Sequence, residues 1–525
     1  MPLRSAGQGF DEEWNSVANT QHQPTADANG GTKVDDENFY DDIVIDEETG
    51  PPRRLSVVSA MLHQRHVCLV GVGLMITLLL GASLGAGISR RSDDNASTSP
   101  AGNKLGPSFR NGNGASWGLA ATSARYLPIR DALVELNGGD RAPFASIDTH
   151  HHQALIFLAD EDPRKISADD PSLAQRFALA MFFYSTLGMT WKSKVSWMTG
   201  EDECLWEGVS CSRDGIHVDE LSLPDNGIKG VMGDLSLLRY LQRLDLSNNT
   251  GLDGTYLHDS LGKLNNLHSL HLHHCGITGE IPGTLWSSSR LELIDISYND
   301  LSGSIPPTIR NSASLQKLLL EGNRFSGQFP HELSDLPLLN EIRCGDNKFV
   351  GQLPSLSRLH NLRVLSFFSN DLTGTLPSIS KDYVRVIDLS KNNLVGVVGT
   401  KFNDMPELME LKLSNNSFSD DLNDQVDLSS NLNLELLHLN GNKFRGDSFP
   451  AWIAPLISLR EFYLFGNGAL HVEGAIPDEV CDLVDFVQSV EVLAVDCNNV
   501  QCTCCTHCCT ALGVCQLERP EENAY

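Results

Sequence analysis

One spacing dominates this chain. From Val218 onward an asparagine returns at Asn226, Asn249, Asn299, Asn323, Asn347, Asn370, Asn392, Asn416, Asn442 and Asn467, with Cys275 filling one turn, and the gaps run from 22 to 26 residues. Self-similarity at such a period marks a repeat architecture. "LELIDISYNDLSGSIP", Leu291 to Pro306, shows the unit: alternating apolar residues, an asparagine three places after the last of them, then apolar-x-Gly-x-apolar-Pro. Residues such as Leu244 and Leu246, or Ile294 and Ile296, alternate along a short strand and point to one face. One unit cannot bury that face alone, so the units must stack into a solenoid. The asparagine side chain can satisfy backbone groups in the turn that ends each strand, and the thiol of Cys275 can occupy the same slot. The glycine allows a sharp bend, and the proline opens the return segment where no ladder bond needs a donor. A solenoid also needs capped ends.

These lines resemble the plant-type leucine-rich repeat, whose signature is matched by "TGEIP" (Thr278–Pro282) and "SGSIP" (Ser302–Pro306). The resemblance implies an α/β repeat solenoid: a horseshoe with short parallel strands on its concave face, a helical amino cap and a Cys-rich carboxyl cap. "VSWMTGEDECLWEGVSCS" resembles the family's amino-cap module through Trp197, Cys204, Trp206, Gly208, Val209 and Cys211, which implies that Cys204 and Cys211 pair. Upstream, "PSLAQRFALAMFFYSTLGMTW" reads as an amphipathic helix with Leu173, Phe177, Ala180 and Tyr184 near one face. With "QALIFLADEDP", Gln153 to Pro163, it resembles the amino-terminal region of membrane leucine-rich repeat proteins from diatoms and related algae. The likeness covers about residues 150–515; the turns near Val395–Thr400 and Asp420–Asn423 depart from the Gly-x-Ile-Pro pattern.

Val67 to Ile88 is a run of twenty-two residues without a charge, spanning about 33 Å as a helix, enough to cross a bilayer. The sequence therefore predicts one transmembrane, signal-anchor helix, in which Gly81 and Gly85 stand at the spacing that lets two such helices pack as a homodimer. Arg53, Arg54 and Arg65 on one side balance Arg90, Arg91 and Lys104 on the other, so flanking charge does not orient it. The Asn-x-Ser/Thr acceptors Asn95, Asn248 and Asn415 all follow the span, and so do twelve of the thirteen cysteines; the other, Cys68, lies inside it. The expected topology is a cytosolic amino terminus with exoplasmic repeats, at the plasma membrane.

The parts follow: 1–66 an acidic cytosolic tail, 67–88 the span, 89–127 a linker, 128–217 the amino cap, 218–480 the repeats, and 481–525 the carboxyl cap. Residues 1–50 hold twelve Asp and Glu against Arg4 and Lys33 and show no apolar period, a disordered composition. "RRLS" makes Ser56 a kinase acceptor, and "YDDI" at Tyr40 to Ile43 fits a sorting signal. Ser92 to Tyr126 is rich in Ser, Gly and Asn, a flexible spacer.

Seven cysteines crowd the nineteen residues from Cys497 to Cys515. Such a cluster is a zinc cage in a reducing compartment or a disulfide set outside it. Cys275 and Cys344 occupy inward repeat positions and are expected as buried thiols. Eight then remain, namely Cys481, Cys497, Cys502, Cys504, Cys505, Cys508, Cys509 and Cys515; an even number at the end of a solenoid fits a disulfide-stapled cap. Eight cysteines allow 105 connectivities, and neighbours such as Cys504 and Cys505 should bond elsewhere rather than to each other.

No phosphate loop, kinase signature, nucleophile elbow or zinc-protease motif occurs, so neither an enzyme nor a cofactor is expected. A net charge of −28 argues against nucleic acid. "HSLHLHHC" sends His271 and His273 onto the concave face between Asp245 and Asp295. That quartet fits either a solvated face with slightly raised histidine pKa or a divalent cation; the former is preferred and no metal is predicted. Elsewhere on that face, the outward positions gather Leu319, Arg343 and Phe368 in one place and Tyr463 and Phe465 in another, residues suited to capture of a protein or peptide. The resulting expectation is a receptor-like single-pass protein without its own kinase. It would bind an extracellular peptide, protein or glycan and signal with a co-receptor kinase. A cell-surface adhesion or scaffold protein, or an inhibitor of extracellular hydrolases, are the alternatives.

Overall fold

A computed structural model describes residues 123–252, 254–470, 475–497, 500–510 and 515–517. The span Val67–Ile88, with Gly81 and Gly85, lies outside the described residues, as do Ser56 and Asn95. Among the described residues no helix is long and apolar enough to cross a membrane.

The repeats stack as the period requires. Fifteen short strands form one sheet, beginning at Val209–Cys211 and ending at Cys515–Leu517. Its two terminal pairings are antiparallel, and every pairing between them is parallel. Register is uniform: Ser222, Asp245, His271, Asp295, Leu319, Arg343, Ser366, Asp388, Lys412, His438 and Tyr463 stand opposite one another in sequence. The leucines and isoleucines between these outward residues are buried, and Cys275 and Cys344 are buried free thiols.

The segment after each ladder asparagine builds a second parallel sheet. It comprises Thr278–Glu280, Asp300–Gly303, Arg324–Gln328, Lys348–Gly351 and Asp371–Leu372. Prolines 282, 306 and 330 then cap 3₁₀ turns at Gly283–Ser287, Pro307–Asn311 and His331–Asp335. Where the Gly-x-Ile-Pro pattern lapses, this sheet breaks into two-stranded pieces, Val395–Gly396 with Ser417–Phe418 and Arg445–Gly446 with Ala469–Leu470. There the buried Asp420 carboxylate accepts from the amides of Val398 and Gly399, a side chain doing what the lost backbone pairing would.

The amino cap has three helices: α1 (Tyr126–Leu136), α2 (His150–Ile156, extended by a π-helical turn at Phe157–Glu161) and α3 (Leu173–Ser185). Leu173, Phe177, Ala180 and Tyr184 do share one face of α3, but the helix is not amphipathic, because its other side is buried too. Leu173, Phe177, Ala180 and Met181 enter a core shared with α1 and α2, while Ala178, Leu179, Phe182 and Phe183 enter the solenoid core. A helix clamped between two apolar bodies is buried nearly all round, and here that includes Arg176. Trp191, Trp197 and Trp206 close over it, with the Arg176 guanidinium 4.9 Å from the Trp206 ring.

Helix α2 opens with His150, His151 and His152, and burial lowers the pKa of all three. Asp234, facing His151, and Asp148, near His152, oppose the shift without overcoming it. A folded pKa below the unfolded value leaves stability complete above about pH 6.5 and removes it as pH falls through the folded values. The cap should therefore loosen as pH falls below about 6.5, seen as a lower melting temperature. Replacing His150 and His151 with glutamine should flatten that dependence.

At the other end, α4 (Asp478–Asp485) and the strand Val492–Val495 lead into four disulfides: Cys481–Cys504, Cys497–Cys508, Cys502–Cys505 and Cys509–Cys515. Adjacent cysteines bond apart. In the amino cap Cys204 joins Cys211.

Candidate functional site

The outer face of the long sheet carries three separate groups, set there by period-2 alternation along each strand. In the first, His271 lies between Asp245 and Asp295 in register. Each aspartate is already committed. Its Oδ1 accepts from the amide and hydroxyl of the serine two residues on, Ser247 or Ser297, and Asp388 does the same with Ser390. The recurrent Asp-x-Ser thus locks the strand end. The second oxygen of Asp245 is 3.0 Å from Arg243, and that of Asp295 is 3.1 Å from His273 Nδ1. The expected rise in histidine pKa is not found. Burial, helped by Arg243 and His273, pushes His271 down despite both carboxylates. Its Nε2 is buried with no hydrogen-bond partner. Among the described residues no three or more His, Cys, Asp or Glu side chains stand where they could hold a metal.

In the second group Leu319 and Arg343 are opposite one another on adjacent strands, and Arg343 faces Ser366 on the next. Arg343 donates through Nε to Glu341, whose other oxygen meets Lys317 Nζ at 3.1 Å. Burial opposes ionisation of Glu341, but these two bases outweigh it and lower its pKa. Glu321 is raised: burial comes first, Arg343 opposes it, and Asp346, Asp388 and Asp295 add to it. The Phe368 ring lies across Gly345, where a Cβ would come 2.2 Å from the ring. Gly345 thus clears the ground on which that ring rests.

The third group lies beyond two intervening strands, Val386–Asp388 and Glu410–Lys412. Tyr463 meets His438 and Phe465 edge-on, with centroids 4.4 and 6.2 Å away. Burial, then Glu461, pushes the Tyr463 hydroxyl up to about 12. His438 in turn holds Glu461 low. The candidate residues are therefore not one site: Leu319, Arg343 and Phe368 lie on three adjacent coils, while His271 with His273 and Tyr463 with Phe465 stand apart.

Alternation missed the column one residue beyond the outward triplet. There the residue before each ladder asparagine is left-handed, as at His274 (φ 54°) and Tyr298 (φ 53°). Their rings stack at 4.6 Å and 1°, and Tyr298 continues over Gly322. The recurring position just before the asparagine was the available signal. Asn248 and Asn415 occupy the same column, exposed, at φ 60° and 56°.

Comparison with known proteins bears on the repeats. The Leucine Rich Repeat family profile matches residues 266–288, 290–312 and 314–336. "Receptor-like protein 50" of Arabidopsis thaliana is 39% identical over 119 residues, which is 22% of this chain and 13% of that protein. "Receptor-like protein 49" of the same plant is 34% identical over 116 residues, covering 20% and 14%. The match thus spans about a seventh of the length of these relatives. Among solved structures, the plant peptide hormone receptor RGFR1 in complex with RGF2 shares 28% identity at a TM-score of 0.46, over 50% of this chain and 42% of that one. The Arabidopsis receptor kinase HAESA ectodomain in complex with an extended IDA peptide shares 26% at 0.47, over 56% and 48%. The chain contains leucine-rich repeats and shares homology with plant receptor-like proteins.

Proposed function

We propose that this leucine-rich repeat chain is a receptor-like membrane protein that captures an extracellular peptide or protein on its long sheet, at Leu319, Arg343 and Phe368. The reading rests on Leu319 and Arg343 standing opposite one another on adjacent strands, with Arg343 bound to Glu341, and on Phe368 lying over Gly345 just beyond the next strand. An arginine, a leucine and an aromatic ring on three adjacent coils have the composition of a binding hot spot. The membrane anchor at Val67–Ile88, glycans at Asn248 and Asn415, phosphorylation of Ser56 and a co-receptor kinase as signalling partner belong to the same proposal. The algal likeness of the amino cap rests on its motif residues.

The test is a screen of secreted peptides and proteins against the purified full-length chain. For a ligand so found, Arg343→Ala and Phe368→Ala should each weaken binding about tenfold or more. His271→Ala and Tyr463→Ala should leave it within about threefold. A ligand indifferent to the first two variants would remove this site.

A further inference from the structure

A second surface lies on the edge of the long sheet where the chain enters each strand. The amides of Glu435, Arg460 and Glu491 donate to Met409, Glu435 and Arg460, which aligns three successive coils. Three residues before the first two stand Leu432 and Ile457, 54% and 62% exposed. Five and four residues before Glu491, just past α4, stand Phe486 and Val487, 82% and 52% exposed. In the preceding coils the same position holds Asn265, Ser289, Ala313, Pro337, His360, Asp382 and Pro406. The repeat therefore does not require a large aliphatic there; its inward residues are the neighbouring Leu434, Leu459 and Val490, all buried. At the strand spacing of about 4.8 Å Leu432 and Ile457 stand side by side, and Val487 and Phe486 lie on the next coil, one and two residues before the equivalent position. Contiguous apolar exposure of this kind marks an interaction surface.

This edge has an acidic rim. Asp427 lies in the turn before Leu432, and Asp482 on α4 before Phe486; both are exposed. The cation within it, Arg460, is held by Glu491 at 2.8 Å and Glu435 at 3.9 Å. We propose that this edge docks a cationic amphipathic segment of another protein, one presenting large apolar residues flanked by Lys or Arg. A second copy fits poorly, because two acidic rims of a chain with net charge −28 would face each other. An anionic lipid surface meets the same repulsion.

The probe is a synthetic amphipathic Leu/Lys helix, with its Leu/Glu counterpart, titrated into the purified full-length chain and read by fluorescence anisotropy. The Leu/Lys peptide should bind, and Ile457→Ser with Phe486→Ser should weaken it about tenfold. Val395→Ser with Val397→Ser, which removes exposed apolar side chains elsewhere, should not change it. All four positions are exposed, and an unchanged melting curve confirms that each variant is folded. Equal binding by all three chains would reduce the effect to bulk charge and overturn the proposal. Equal binding of the Leu/Glu peptide would overturn the charge argument. A concentration-dependent dimer dissolved by the Ile457/Phe486 variant would assign the edge to a second copy instead.

Discussion

Replacing Arg176 with methionine is expected to cost about 3–5 kcal/mol in urea unfolding of the full-length chain, enough to open the amino cap. Arg176 is fully buried and donates to five oxygens. Two belong to Asp162 (2.8 and 2.9 Å) and one to Glu203 (3.2 Å); the others are the carbonyls of Thr199 and Glu201. Asp162 is as buried as its partner, so removing the cation strands a carboxylate away from water. Glu203 suffers less, because Arg164 and Gln175 also reach it. Methionine conserves most of the volume, which separates lost charge from lost packing. Arg176→Met with Asp162→Leu should therefore be less damaging than Arg176→Met alone, because an apolar pair strands no charge. A single variant that loses under about 1 kcal/mol would show that the cap does not depend on this network.

The same arginine marks where sequence reasoning stops. The repeats were legible because two periods are superimposed on them. Alternation fixes which of Leu270, His271 and Leu272 points inward, and the asparagine spacing fixes which strand is next. Together they put His271 between Asp245 and Asp295, as the register confirms. The sign of the His271 shift was not legible, because it depends on how far neighbouring strands cover the ring. Nor was the environment of α3: a helical period records which faces are apolar, not that two separate cores press on it, so nothing in the sequence marked Arg176 as buried. Phe368 was placed on the outer face, yet its rest on Gly345 needs the coil before it. The second sheet was missed for a related reason. Its strands are two to five residues long and rich in glycine, too short for any period to be seen.

Replacing Asn299 with alanine is expected to cost about 3 kcal/mol or more, well above a typical point substitution. Its Nδ2 donates to the carbonyls of Leu272, Ile296 and Ser297 at 2.8, 3.0 and 3.1 Å. Its Oδ1 accepts from the amides of Cys275 and Ile277, both at 3.0 Å. One side chain therefore ties its own turn to the preceding coil in both directions, and alanine leaves two buried amides without an acceptor. Cys275 is the protein's own partial version of that change. Its Sγ donates to Leu246 O at 3.1 Å and His273 O at 3.5 Å, the same carbonyl slots, and burial keeps the thiol protonated with its pKa pushed up to about 11. What sulfur lacks is a good acceptor for the amides of Asn249 and Asn248 that face it. Asn299→Cys should thus cost less than Asn299→Ala, because the donor survives. Cys275→Asn should stabilise the chain by about 1 kcal/mol, because the acceptor is restored. Urea unfolding of the three variants orders them: Cys275→Asn above the parent, then Asn299→Cys, then Asn299→Ala. If Asn299→Cys fell level with Asn299→Ala, the acceptor half of the asparagine would carry the ladder alone, and Cys275 would be tolerated only because its coil is supported elsewhere.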